Sequence, residues 1–297
     1  MKLSANGIAI EVDDQGPPGG PALLLVMGLG MQLIAWPQPL VDRLVGAGFR
    51  VIRIDNRDAG LSEGFDRHGV PNLAWAGLRY MMRLPVDAGY RLADMAADAW
   101  GVLDALGVGE AHLCGASMGG MIVQHMAAAQ PRRAASLALM MTTSGARHLP
   151  RPTLAVQRAL LSRPPRAEDA GAVAARLEAM FRLIGSPAYP ASAETLRAQV
   201  AQALQRAYRP AGVARQLVAV VADGDRSGLL PRIAAPVHIV HGEADPLIPP
   251  AAARDLHAKL PGSTLDLVPG MGHDLPAELL ARFAQGIATN AARQSTA

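Results

Sequence analysis

One cysteine, two lysines and a 4% share of aromatic residues are the first features of this 297-residue chain. With Cys114 alone, no intramolecular disulfide can form and no cysteine-based zinc cluster can assemble. Positive charge comes almost wholly from arginine, since only Lys2 and Lys259 are lysine, and the net charge is only +3 although the pI is 9.4. No Lys/Arg run is interleaved with aromatics, so nucleic acid is not an expected partner. No apolar run reaches the length of a membrane span. Residues 1–16 carry Glu11, Asp13 and Asp14 and no uninterrupted apolar stretch, unlike a signal peptide. A cytoplasmic protein without a membrane partner is expected. Gly28-Leu29-Gly30 lacks the third glycine of a dinucleotide fingerprint. No residue cluster marks a metal or nucleotide site, so neither cofactor nor metal is expected.

What is present is a large apolar fraction, half of the chain, enough for one α/β core with an insertion. Ile8 to Val12, Ala22 to Val26, Phe49 to Ile54, Ala111 to Cys114, Ser136 to Met140, Val237 to Val240 and Thr264 to Val268 read as strands. Leu40 to Val45, Leu92 to Leu106, Met121 to Ala129 and Pro276 to Ile287 read as helices. Such alternation predicts a mostly parallel sheet with helices on both faces. Its functional loops then gather at the carboxyl ends of the strands. From 146 to 231 the rhythm breaks: helical pattern, no convincing strand, an excess of arginine and many prolines (among them Pro150, Pro152, Pro164 and Pro165). The expected organisation is a core of 1–145 and 232–297 with a helical cap at 146–231. The basic bias of that cap reads as solvated helix faces, or as a preference for an anionic or electron-rich substrate.

Gly115-Ala116-Ser117-Met118-Gly119 lies between the strand ending at Cys114 and an Ala/Met-rich helix that stops at Pro131. Alone, G-x-S-x-G is only a turn. On a strand-to-helix junction it is a nucleophile elbow, whose sharp bend exposes the serine hydroxyl and demands small neighbours. The helix N-terminus after Ser117 presents free N–H groups to an oxyanion. A serine needs an adjacent base, and histidine has the suitable pKa. Of eight histidines, His112 and His238 lie in strands, His125 and His257 on helices, and His68 and His148 in loops. His241 sits too close to the candidate acid. His273 follows the last strand in the glycine-rich Pro269-Gly270-Met271-Gly272-His273-Asp274 and is the expected base. Asp245, on the loop after Val240 and before Pro246, is the expected acid, ahead of Glu243 and Asp274. Its role is to hold the imidazole tautomer and stabilise the imidazolium. The oxyanion hole calls for the Met118 N–H and the Leu29 N–H of Met27-Gly28-Leu29-Gly30.

In chain order, Met27-Gly28-Leu29-Gly30, Asp55-Asn56-Arg57-Asp58-Ala59-Gly60-Leu61-Ser62, the elbow, the Asp245 loop and the Gly272-His273 loop resemble the α/β-hydrolase fold superfamily over almost the whole chain. Trp36-Pro37, Asn56-Arg57-Asp58 and Ser117-Met118-Gly119 are similar to the aclacinomycin methylesterase-like branch of capped ester hydrolases. Many relatives carry histidine where Met27 stands and glycine where Asp58 stands. In the superfamily the Arg57-Asp58 loop chiefly supports the oxyanion strand, with contact to substrate as the alternative role. The resemblance implies a serine hydrolase acting on a small-molecule carboxylic ester, such as a methyl ester or lactone. Cofactor-free perhydrolysis and carbon–carbon bond hydrolysis use the same triad and stay open, and some members of the fold are non-catalytic receptors. Met31, Met81, Met82, Met141 and Phe181 line the pocket or fill the core.

Overall fold

The computed structural model describes residues 1–162 and 169–293; Pro164 and Pro165 lie outside them. Eight strands form one sheet: β1 (Lys2–Ala5), β2 (Ile8–Gln15), β3 (Ala22–Val26), β4 (Arg50–Ile54), β5 (Ala111–Ala116), β6 (Ala134–Met140), β7 (Val237–Gly242) and β8 (Thr264–Val268). Their spatial order is β1-β2-β4-β3-β5-β6-β7-β8. The β1–β2 and β2–β4 pairs are antiparallel and the remaining pairs parallel. Helices α1 (Gln38–Gly46) and α10 (Leu280–Ala292) cover one face; α3 (Leu92–Ala105), α4 (Met118–Ala129) and α9 (Ala251–Lys259) cover the other.

Strand β3 shows how the sequence dictates this layering. Ala22-Leu23-Leu24-Leu25-Val26 is apolar and buried at every position. Leu23 and Leu25 join the α1/α10 core, Leu24 and Val26 the α3/α4 core. That is the two-residue alternation of a strand covered on both faces. Each such leucine contributes roughly 1.5–3 kcal/mol of burial.

Two elements exceed the sequence expectation. Strand β1 pairs with β2 through Asn6-Gly7, whose φ values of 50° and 78° are those of a type I′ hairpin turn. The Asn-Gly dipeptide is the local signal for it. Helix α2 (Leu73–Met81) buries only Ala76, so it carries no inward apolar stripe to betray it. Helix α4 begins at Met118, immediately after Ser117, rather than at Met121.

Between β6 and β7 run α5 (Leu154–Leu161), α6 (Ala170–Ile184), α7 (Ala193–Arg206) and α8 (Pro210–Asp223). The side chains of Thr153, Asp169 and Ser192 cap the first three by accepting N–H bonds. Helix α8 packs on α2 through Val218, Ala76 and Val86. No helix among the described residues is long and apolar enough to cross a membrane.

Candidate active site

Ser117 stands between β5 and α4 with φ 55° and ψ −120°, a left-handed conformation that a residue with a side chain rarely adopts. The strain is held from several sides. Its N–H donates to the Met140 carbonyl at 2.9 Å, and its carbonyl accepts from Thr142 Oγ1 at 2.7 Å. A Cβ on Gly119 would come within 2.0 Å of the Val26 carbonyl oxygen, so only glycine lets α4 start this close to β3. Gly28 is constrained by Ser117 itself: a Cβ there would lie 3.1 Å from Ser117 Cβ and 3.6 Å from its Oγ. Among the described residues the Ser117 hydroxyl makes no hydrogen bond to His273.

A lateral row of bonds aligns the strand ends. Ser117 N–H reaches Met140, Met141 N–H reaches Val240 at 2.9 Å, and Ala244 N–H reaches Met271 at 2.9 Å. Ser117, Asp245 and His273 thus share the carboxyl edge of the sheet. Nδ1 of His273 lies 2.7 Å from Asp245 Oδ2. A carboxylate accepts, so Nδ1 carries the proton and Nε2 is left to take another. The Asp245 carboxylate is buried and saturated: Leu247 and Ile248 N–H donate to Oδ1 at 2.9 and 2.8 Å. Burial pushes this carboxyl up, but the His273 charge and hydrogen bonds from His241 and His273 hold it down at about 2. The rival acids are elsewhere. Glu243 is exposed. Asp274 accepts from the Ser186 hydroxyl and, at 3.2 Å, from its N–H, and burial pushes its carboxyl up.

His241 is the residue that sequence reasoning sets aside. It is fully buried, its Nε2 donating to the Ile248 carbonyl at 2.7 Å and standing 3.4 Å from the same Asp245 Oδ2. Rather than competing with Asp245 for the strand end, it stands behind that carboxylate. Its place four residues before Asp245, at the strand end, is the signal that could have found it.

The loop Met27–Gln32 is pinned at several polar groups. Asn56 Nδ2 holds the Met27 carbonyl at 2.9 Å, and Met31 N–H closes on Gly28 at 3.1 Å. Gly30 N–H donates to Gln216 Oε1 of α8 at 2.7 Å, while Gln216 Nε2 grips the Arg57 carbonyl at 2.7 Å. Among the described residues, the Leu29 and Met118 N–H groups bond neither to a carbonyl nor to a side chain. The histidine loop is fastened likewise: His273 N–H donates to Ile184 at 2.7 Å and Gly272 N–H to Ser186 Oγ at 2.8 Å. The inserted helices therefore grip both loops that flank Ser117.

Arg57 and Asp58 are engaged in structure. Arg57 makes two 2.6 Å bonds to Asp98, and Asp58 pairs bidentately with Arg215 of α8 at 2.7 Å. Of the apolar residues weighed for a pocket wall, Met81 and Met82 are exposed, Met141 is core and Met31 packs against the core. Phe181 lines a cavity of about 480 Å³ whose wall includes Ser186, Ala244 and Asp274 but neither Ser117 nor His273.

The sequence profile of the alpha/beta hydrolase fold matches residues 21–278. The chain belongs to this family. It is 28% identical over 302 residues to a rhodomycin D methylesterase of Streptomyces sp. strain C5, covering 92% of each chain. It is 27% identical over 282 residues to a 2-hydroxy-6-oxononadienedioate/2-hydroxy-6-oxononatrienedioate hydrolase of Burkholderia vietnamiensis, covering 93% of this chain and 88% of that one. Among solved structures, an enol-lactonase from Burkholderia xenovorans LB400 superposes with a TM-score of 0.74 at 23% identity, covering 98% and 99% of the two chains. The methylesterase relatives agree with the branch that the sequence motifs resemble.

Proposed function

We propose that this protein is a serine hydrolase that cleaves a small-molecule carboxylic ester by acyl transfer. Ser117 attacks the carbonyl, His273 takes its proton through Nε2, and Asp245 orients the imidazole and stabilises its cation. The Leu29 and Met118 N–H groups receive the oxyanion, each worth about 3 kcal/mol in the transition state. Water activated by His273 then releases the acyl group. The segment 146–231 serves as the cap that bounds the substrate. One observation carries the reading: a buried imidazole–carboxylate pair at 2.7 Å on the same sheet edge as a serine held at φ 55°. The nucleophile–base bond of such sites is often long or misaligned until substrate arrives.

The rhodomycin D methylesterase relatives favour a methyl ester as the substrate. Carbon–carbon hydrolysis is the second reading, favoured by the dienedioate hydrolase relative. A fluorophosphonate probe beside p-nitrophenyl esters of graded acyl length tests the proposal. Labelling at Ser117 with ester turnover is the expected result, and Ser117→Ala should lower kcat by roughly 10⁴ to 10⁶ with the fold intact. Labelling without turnover favours the second reading. A folded protein that takes no label refutes the serine mechanism.

A further inference from the structure

The apolar side of α2 points away from the protein. Trp75, Leu78, Met81 and Met82 are 54, 43, 68 and 59% exposed. At about 100° per residue these four, with exposed Ala74 among them, fall on one arc of roughly 120°. The opposite side meets α8 through Ala76. Single exposed apolar residues are ordinary, but a contiguous outward face marks an interaction site.

The segment that carries this face is basic. Between Asp66 and Asp87 the chain has no acidic residue, while Arg67, Arg79 and Arg83 lie there. The Arg79 guanidinium sits 5.9 Å from the Trp75 ring centroid, Arg147 lies 4.7 Å over Tyr80, and Arg83 is exposed. A two-fold dimer through this face would set the same arginines against each other, which like-charge repulsion opposes. A surface with an apolar interior and anionic headgroups takes both features together. At 9 residues, α2 is far too short to span a bilayer. Trp75, at one margin of the arc, has the amphipathic ring that settles at headgroup level.

We propose that the outward face of α2, with its bordering arginines, docks reversibly on an anionic lipid surface. This departs from the expectation, drawn from the absence of spanning segments, that no membrane partner exists. It does not depend on the esterase reading.

The molecule carries its own reporter. Of three tryptophans, Trp36 and Trp100 are buried and only Trp75 is exposed. With phosphatidylcholine vesicles containing phosphatidylglycerol, Trp75 emission should shift to the blue and the protein should sediment with the vesicles. Pure phosphatidylcholine should bind it much less, and high salt should release it. The double variant Leu78→Glu with Met81→Glu should lose at least about ten-fold in partitioning at unchanged circular dichroism. Should that variant fail to fold, Arg83→Gln, at an exposed position, should still weaken binding by about five-fold. No binding to the anionic vesicles overturns the proposal, as does equal binding to both vesicle types or undiminished binding by the variants. Light scattering that finds a dimer, dissociated by the double variant, gives the face to a second copy instead.

Discussion

Two buried carboxylates, Asp245 and Asp58, follow the carboxyl ends of parallel strands, and both are ringed by donors. Asp245 accepts from two backbone N–H groups and faces His273 and His241. Asp58 accepts from Arg215 twice, from the Tyr90 hydroxyl at 2.8 Å and from Phe65 N–H at 2.8 Å. Burial pushes each carboxyl up and its partners pull it below the usual range. They differ in the partner's chemistry. A guanidinium never gives up its proton, so Asp58–Arg215 is a permanent strut between the loop after β4 and helix α8. An imidazole takes and releases protons near neutrality, so Asp245–His273 can do chemistry. Similar burial and similar hydrogen-bond saturation thus serve fold in one place and, in the mechanism we propose, reactivity in the other.

Exchanging each acid for its amide separates the two roles. Asp245→Asn should lower kcat by about 10⁴, because the imidazole loses its tautomer and its counter-charge, while the thermal midpoint moves little. Steady-state kinetics beside calorimetry read this; a nearly neutral Asp245→Asn with an inactive Glu243→Gln would reassign the acid. Asp58→Asn should do the reverse. Asparagine tolerates the φ of 66° at this position, so the backbone stays and the pair is lost. Leaving buried Arg215 with only the exposed Asp66 as counter-charge should cost about 3 kcal/mol in urea unfolding, with kcat per folded molecule within a few-fold of the parent.

Acid should sharpen the contrast. Asp58 is depressed in the folded state, so its stabilisation is complete above the ordinary carboxylate pKa of about 4 and is lost as pH falls through its folded value. The stability gap between the parent and Asp58→Asn should therefore narrow below about pH 4 and stay constant above it. Asp245, at about 2, remains ionised through the neutral range, so the acid limb of kcat/KM should have histidine rather than carboxylate character. An activity profile flat down to pH 4 would remove histidine as the base.

Smaller effects test what lies between the two acids. Gln216→Leu leaves the Gly30 N–H and the buried Arg57 carbonyl without their partner. It should reduce kcat ten- to a hundred-fold with less change in KM, since the oxyanion loop loosens while the substrate wall remains. The smallest effect belongs to the half-exposed Arg282–Asp266 pair: Arg282→Ala should shift stability by less than about 1 kcal/mol.

The sheet, the elbow and the order of the site loops are legible in the amino-acid sequence. Each is written locally: unbroken apolar strands such as Ala22–Val26, glycines where backbones meet at Gly28 and Gly119, and a histidine in a glycine-rich turn after the last strand. Boundaries slipped where a local signal was short, as at β1, where Asn6-Gly7 is all that marks a hairpin. Which polar groups close on one another is set by the folded arrangement alone. Gln216 and Gly30, Ser186 and Gly272, Arg215 and Asp58 are far apart in sequence, and no periodicity records such a pairing. The same holds for α2, whose composition is that of a core helix and whose apolar side points outward. Composition states how much apolar surface a segment has. Which side of it meets water depends on the neighbours the fold supplies, and α8 meets only the side that carries Ala76.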